Sequence, residues 1–203
     1  MHPGPIALTG FMGSGKSTVG RILAHQLGWT FIDIDQQIET VHSRPASSLF
    51  HELGEAMFRA VEARITAECL ALCCTVVALG GAAVDLPENQ SLLSEDYHGC
   101  LIFLDGEFEV LINRCLQEEN KQRATYRPLL HQPDKALARF LSRRTWNLAN
   151  ADLRIDVGSK SCEQSAEEIF VHLRAYKSSD AAVSDFHTPT LSCDPGTLAD
   201  MYD

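Results

Sequence analysis

Residues 5–9 form a short apolar run that breaks at Gly10, and from Lys16 to Leu27 the residues Val19, Ile22, Leu23 and Leu27 recur at helical spacing. The pattern predicts strand, loop and helix in that order. A second strand is predicted over Trp29–Asp33, then polar helical sequence from about Asp35 to His42 and a further helical patch over Ala46–Leu53, punctuated by Gly54. From Glu55 onward Met57, Phe58, Val61, Ile65, Cys69 and Leu72 keep one apolar face. Thr75–Leu79 then turns β-branched and strand-like, and a loop opens at Gly80-Gly81.

Cys100–Leu104 reads as a fourth strand and Glu107–Leu116 as the helix behind it. Residues 118–133 are polar, carry basic side chains and lack an apolar period, which predicts a mobile lid rather than core. Asp134–Leu148 is expected to be helical, Leu153–Val157 a fifth strand and Glu163–Tyr176 a closing helix. Residues 177–203 are rich in Ser, Asp, Thr and Pro and are expected to be a disordered acidic tail behind a single domain of residues 1–176. Strands alternating with helices imply an α/β fold, with a five-stranded parallel sheet flanked by helices on both faces and right-handed crossovers. Ligands bind such sheets at the carboxyl ends of the strands, so the loops after residues 9, 33, 79 and 104 are the ones to inspect.

A length of 203 residues fits one compact domain, and 45% hydrophobic with 22% charged residues excludes the disordered and membrane classes. Cys69–Val84 carries no charge, but it contains Gly80-Gly81 and falls short of the roughly 20 residues a membrane helix needs. A net charge of −10 with no Lys/Arg cluster disfavours nucleic acid as a partner. Five of the acidic residues (Asp180, Asp185, Asp194, Asp200, Asp203) stand in the last 26 residues, which contain no Lys or Arg, so the folded part is only mildly acidic. Seven cysteines make an odd count with no CxxC pair and no secretory signal, which points to a reducing cytoplasm. The histidines show no metal-binding spacing, so no protein-caged metal is expected.

The first loop is Gly10-Phe11-Met12-Gly13-Ser14-Gly15-Lys16-Ser17, a full Walker A pattern, followed by Thr18. Its glycines let the backbone curl so that successive N–H groups face phosphate oxygens, and the helix starting at Lys16 adds the positive end of its dipole. Lys16 supplies a point charge for the β and γ phosphates, and Ser17 a hydroxyl for Mg²⁺. GTPases and motor ATPases share this loop, so it establishes nucleotide binding without saying what becomes of the triphosphate.

Asp33 and Asp35 stand at the end of the second strand, and residues two apart in an extended chain point to the same side. One carboxylate could orient Mg²⁺ through water and the other accept the proton of an attacking hydroxyl; alternatively, one of them only caps the following helix. Arg59 lies between Glu55 and Glu62 at i, i+4 and i+7, and reads equally well as a ligand-gripping arginine or as a surface ion-pair partner worth about 0.3–0.5 kcal/mol. Gly80-Gly81 is either a plain turn or a place where a ligand approaches backbone N–H groups. Arg127, before Pro128-Leu129-Leu130, is either a lid arginine or a solvated loop residue.

In order and spacing, GFMGSGKSTVGRILA, DIDQQIE, GEAMFRAVE, ALGGAAV and RPLL resemble the shikimate kinase family over residues 5–176. The resemblance implies the P-loop, nucleoside monophosphate kinase-like fold with a mobile lid. It also implies ATP-dependent phosphorylation of the 3-hydroxyl of shikimate in chorismate and aromatic amino-acid biosynthesis, with Mg²⁺ accompanying ATP. On this resemblance Gly13, Ser14, Gly15, Lys16, Ser17 and Thr18 cradle the phosphates, and Ser17 and Asp33 hold Mg²⁺, Asp33 through water. Asp35 binds the acceptor hydroxyls and assists deprotonation, Arg59 oriented by Glu62 grips the acceptor carboxylate, and Gly81 and Gly80 offer backbone donors to the ring. Arg127 reaches over the phosphates, Arg114 packs on adenine, and Arg143, or its neighbour Arg144, also meets the carboxylate.

Two departures bear on that transfer. Ala82 stands where the family has a third glycine, and Thr145-Trp146-Asn147 replaces a Pro-Leu-Tyr run. Acceptor binding should survive the first change if the Ala82 φ is negative. A sugar-acid kinase of the gluconate type and a nucleotide-binding protein with a decayed acceptor pocket remain the competing readings. The expected partners are ATP and shikimate, with no nucleic acid and no membrane, and the expected state is a monomer.

Overall fold

The computed structural model describes residues 4–94, 97–120 and 128–180. The elements in chain order are β1 (Ile6–Thr9), α1 (Lys16–Leu27), β2 (Thr30–Asp33), α2 (Ile34–His42), α3 (Ala46–Leu70), β3 (Thr75–Ala78), a 3-10 turn (Ala83–Asp85), α4 (Pro87–Ser94), β4 (Cys100–Asp105), α5 (Phe108–Asn120), a 3-10 turn (Pro128–His131), α6 (Pro133–Asn150), β5 (Leu153–Asp156) and α7 (Cys162–Asp180).

The five strands form one parallel sheet in the order β2-β3-β1-β4-β5. β1 is central and buried throughout, pairing Ile6 with Val76 on one side and with Cys100 on the other. Because side chains alternate along a strand, β1 to β4 each feed two cores. Ile6, Leu8, Val76, Ile102 and Leu104 pack with Val19, Leu23, Phe140 and Ile169 on one face. Ala7, Ile32, Val77 and Leu101 pack with Ile38, Leu49, Phe58 and Ile65 on the other. The chain winds out through β2 and β3 on one side of β1 and returns through β4 and β5 on the other. The loops after β1 and β3 therefore open a crevice at the carboxyl edge.

The predicted sheet and helix order is present, with boundaries shifted by a few residues. Gly54 sits at φ 75°, ψ 166° inside α3, a non-helical conformation, so α3 is two helical segments meeting at a kink where the sequence places its break. The polar pattern concealed three features. The 3-10 turn and α4 between β3 and β4 bury too few side chains to show a period: Asn89 and Leu93 are the buried ones in α4. The segment expected to be a lid starts inside the last turn of α5, resumes as the 3-10 turn at Pro128–His131, and ends where Pro133 starts α6. Residues 121–127 of that segment, Arg127 among them, lie outside the described residues. α7 runs through Asp180, past the boundary expected at Tyr176; the rest of the tail also lies outside them. Among the described residues no helix is long and apolar enough to cross a membrane.

Gly54 and Gly81 both have open space where a Cβ would stand, but only Gly54 has a positive φ. Backbone strain alone should separate them. Gly54→Ala is expected to cost about 1–3 kcal/mol, read as a fall of several degrees in the melting temperature, and Gly81→Ala is expected to melt with the parent chain.

Candidate active site

The phosphate loop follows from the end of β1. Gly15 takes φ 88° as the residue before α1, and α1 starts with no side-chain cap, so its first N–H groups are directed at the crevice. Gly13 at φ 78° is packed so closely on the Leu111 carbonyl that a Cβ would collide with it. Among the described residues the buried Ser14 hydroxyl has no hydrogen-bond partner, an orphan donor inside the curl. Lys16 Nζ donates to the Gly10 carbonyl at 2.7 Å and the Phe11 carbonyl at 3.4 Å, which holds the ammonium across the loop mouth. Thr18, in the first turn of α1, is exposed.

Asp33 both caps α2 and meets the start of α1. Its Oδ1 accepts from the backbone N–H groups of Asp35 (3.1 Å) and Gln36 (3.4 Å), while its Oδ2 accepts from the Ser17 hydroxyl at 2.5 Å. This joins β2 to the start of α1 and sets two hard oxygen donors side by side. The extended-chain argument for Asp35 does not hold, because β2 ends at Asp33 and Asp35 lies in the first turn of α2. Asp35 still reaches the crevice through the helix.

The Asp35 carboxyl is raised from 3.8 to about 6, chiefly by burial among protein atoms, then by Asp33 and Glu62, with Lys16 opposing. Its residue surface is nevertheless open to solvent. The crowding of carboxylates is thus the firmer cause, since water entering the crevice weakens the desolvation.

Glu62 is 1% exposed and accepts from Arg59 Nη1 at 2.5 Å. Of the two readings of Arg59, the surface pair with both partners in water is excluded. Arg59 keeps 28% of its side chain exposed, so its guanidinium is anchored at one edge and open at another. A Cβ on Gly80 would strike Glu62 Oε1 and lie 3.2 Å from Asp35 Oδ1, so the bare backbone of Gly80 lets these acids converge. Gly81 is exposed beside it. Ala82 has φ −113° and a buried methyl, so the third glycine is replaced without strain.

Arg143 and Arg144 separate clearly. Arg143 lies over the ring of Phe11, 5.7 Å from its centroid, and donates through Nε and Nη2 to Asp85 at 2.9 and 2.6 Å. It thereby bridges the phosphate loop and the turn that follows Gly80-Gly81. Arg144 is committed elsewhere, to the buried Asp105 at the end of β4, which Arg154 also binds. Asn147, one turn after Arg143, accepts from the Thr9 hydroxyl at 3.0 Å, and Trp146 packs on the second core. The replaced Pro-Leu-Tyr run thus has its own structural work. Arg114 donates to the carbonyls of Val157 (2.7 Å), Gly158 (3.2 Å) and Lys160 (3.4 Å), pinning the loop between β5 and α7. Sequence reasoning missed Asp85 and Asn147. Their partners lie 58 and 138 positions away, and no local pattern signals such pairs.

A model of the shikimate kinase family matches residues 12–174. The shikimate kinase of Persephonella marina is 38% identical over 169 residues, covering 83% of this chain and 98% of the relative. That of Gloeobacter violaceus is 38% identical over 177 residues, covering 86% and 95%. Among solved structures, shikimate kinase from Acinetobacter baumannii in complex with shikimate matches with a TM-score of 0.75 at 29% identity, covering 86% of this chain and 95% of that one.

The raised Asp35 carboxyl has a consequence for stability. The fold holds its proton more tightly than the unfolded chain does, so the associated stability is complete below about pH 4 and is lost as pH rises through about 6. Asp35→Asn should therefore melt above the parent at pH 8, with the gap narrowing steadily below pH 6. A variant less stable than the parent at pH 8 would show that Lys16 outweighs the neighbouring carboxylates.

Proposed function

The chain belongs to the shikimate kinase family, and on that footing we propose that it transfers the γ-phosphoryl group of ATP to the 3-hydroxyl of shikimate. The observation that carries the reading beyond nucleotide binding is the acidic pocket beside the phosphate loop, where Asp35 and Glu62 converge on Gly80. A protein that only bound nucleotide would have no use for a carboxyl held near 6 beside the Walker lysine.

The uncapped start of α1, the orphan Ser14 hydroxyl and Lys16 suit a triphosphate. Ser17 Oγ, with Asp33 Oδ2 acting through water, would hold Mg²⁺. When bound, the ion would neutralise charge on the triphosphate. Asp35 takes the proton of the attacking hydroxyl, and at neutral pH a carboxyl of pKa about 6 is mostly ionised yet still basic enough to accept it. The acceptor oxygen bonds to the γ-phosphorus, the bond from that phosphorus to the β–γ bridging oxygen breaks, and ADP departs. Lys16 stabilises the charge that gathers on the transferring group.

Arg59, oriented by Glu62, and Arg143, oriented by Asp85, hold the acceptor carboxylate so that a ring hydroxyl faces the phosphorus. Gly80 and Gly81 line the ring. Arg114 and the loop it pins form the adenine edge, Gly13 and Thr18 complete the phosphate cradle, and Arg127 serves as the charge-stabilising arginine over the phosphates.

The test is a coupled ADP-release assay with shikimate, gluconate and a nucleoside monophosphate side by side. Turnover with shikimate alone is expected. Turnover with gluconate would move the chain to sugar-acid chemistry, and ATP binding without turnover of any acceptor would leave a nucleotide-binding protein.

Arg59→Lys separates acceptor from donor binding, because it replaces a planar two-pronged fork by a point charge while keeping a cation beside Glu62. The KM for shikimate should rise at least tenfold, about 1.4 kcal/mol or more, with the KM for ATP unchanged. Unaltered shikimate kinetics would remove Arg59 from the acceptor site.

A further inference from the structure

Asp85 lies in the turn that follows Gly80-Gly81, and its carboxylate gathers two arginines from one face of α6. Arg139 reaches it from solvent at 3.0 Å with 54% of its side chain exposed, whereas Arg143 does so with only 8% exposed. The Arg143 contact is two-pronged and side-on, through Nε and Nη2. Among the described residues the Nη1 nitrogen of Arg143 makes no hydrogen bond, so one edge of the guanidinium is fixed and the other is left for a ligand. The same guanidinium lies over Phe11 of the phosphate loop, and α6 is indexed to the end of β1 by Asn147 and Thr9.

An arginine is long and has several rotatable bonds, so a single aromatic contact does not define its orientation; a forked carboxylate partner does. A buried cation also needs a counter-charge where it stands. Asp85 meets both needs for Arg143.

We propose that Asp85 is a positioning residue for the phosphoryl acceptor: it fixes Arg143 between the phosphate loop and the Gly80-Gly81 turn, so that the uncommitted edge of the guanidinium meets the carboxylate of the acceptor. The inference rests on the acceptor being shikimate, as argued above. Arg139 has a lesser part, since it touches Asp85 from solvent and adds no constraint to the buried pair.

Steady-state kinetics on Asp85→Asn, Asp85→Glu and Arg139→Gln, each with a thermal melt, test it. Asp85→Asn should raise the KM for shikimate at least fivefold while the KM for ATP stays within twofold of the parent value. Arg139→Gln should leave both within twofold. Asp85→Glu keeps the charge but moves it by one methylene. Positioning predicts a raised shikimate KM for this variant too, smaller than that of Asp85→Asn, and this variant decides the matter if Asp85→Asn does not fold. A shikimate KM like the parent's in Asp85→Glu, or in a folded Asp85→Asn, overturns the proposal, because charge balance alone would then be at stake. A KM below the parent's also overturns it, since Asp85 would then compete with the acceptor for Arg143. Parallel rises in both KM values with a collapsed melt indicate a general structural role and overturn it as well. Parent protein that turns over no shikimate sinks the proposed function and this inference together, whereas parent turnover with unaltered Asp85 variants sinks this inference alone.

Discussion

A helix that begins without a side-chain cap at the end of the central strand is the constraint on which the rest of the site depends. No side chain caps the start of α1, and the Gly15 carbonyl takes the N–H groups of Thr18 and Val19, so the positive end of the helix dipole faces the loop. Gly15 in a left-handed conformation turns the backbone into that helix, and the glycine at position 13 lets the loop press against the start of α5. The result is an anion-binding concavity whose place is set by β1, the strand with neighbours on both sides. Four side chains are attached to this point by contacts that can be named. Ser17 is tied to Asp33 on β2, Lys16 to the loop carbonyls, Arg143 stacks on Phe11, and Asn147 is tied to Thr9.

Opposite this positive end the protein gathers carboxylates, which is costly unless each is paired or kept protonated. Three solutions are used. Asp33 takes backbone and hydroxyl donors, so its charge is compensated by hydrogen bonds. Glu62 is buried with Arg59 as its partner, which converts what could be a surface pair into a fixed support. Asp35 is left under-compensated, and its carboxyl rises towards neutrality. The group least stabilised as an anion is the one to which the proposed reaction gives a proton, a pattern in which stability would yield to chemistry.

Both arginines assigned to the acceptor follow one design, a guanidinium forked or paired to a carboxylate on one edge and open on another. The carboxylate comes from the same helix for Arg59 and from a distant turn for Arg143. The same rule separates Arg143 from Arg144. Adjacent residues on a helix project in different directions, so one faces the crevice while the other joins Asp105 and Arg154 behind β4.

The sequence by itself determined the order of strands and helices, the parallel sheet, the phosphate loop and the residues that carry the family resemblance. These are written in local periods and contiguous motifs, which need only neighbouring residues to be read. It could not determine where α5 and α7 end, because polar helical turns lack an apolar period. Whether Arg59 is a surface pair depended on the burial of Glu62, and burial belongs to the packed molecule. The different partners of Arg143 and Arg144, and the contacts that Asp85 and Asn147 make, were decided by tertiary structure alone. Their contacts join positions 58 and 138 residues apart, and only the winding of the chain around β1 brings such positions within a hydrogen bond of one another.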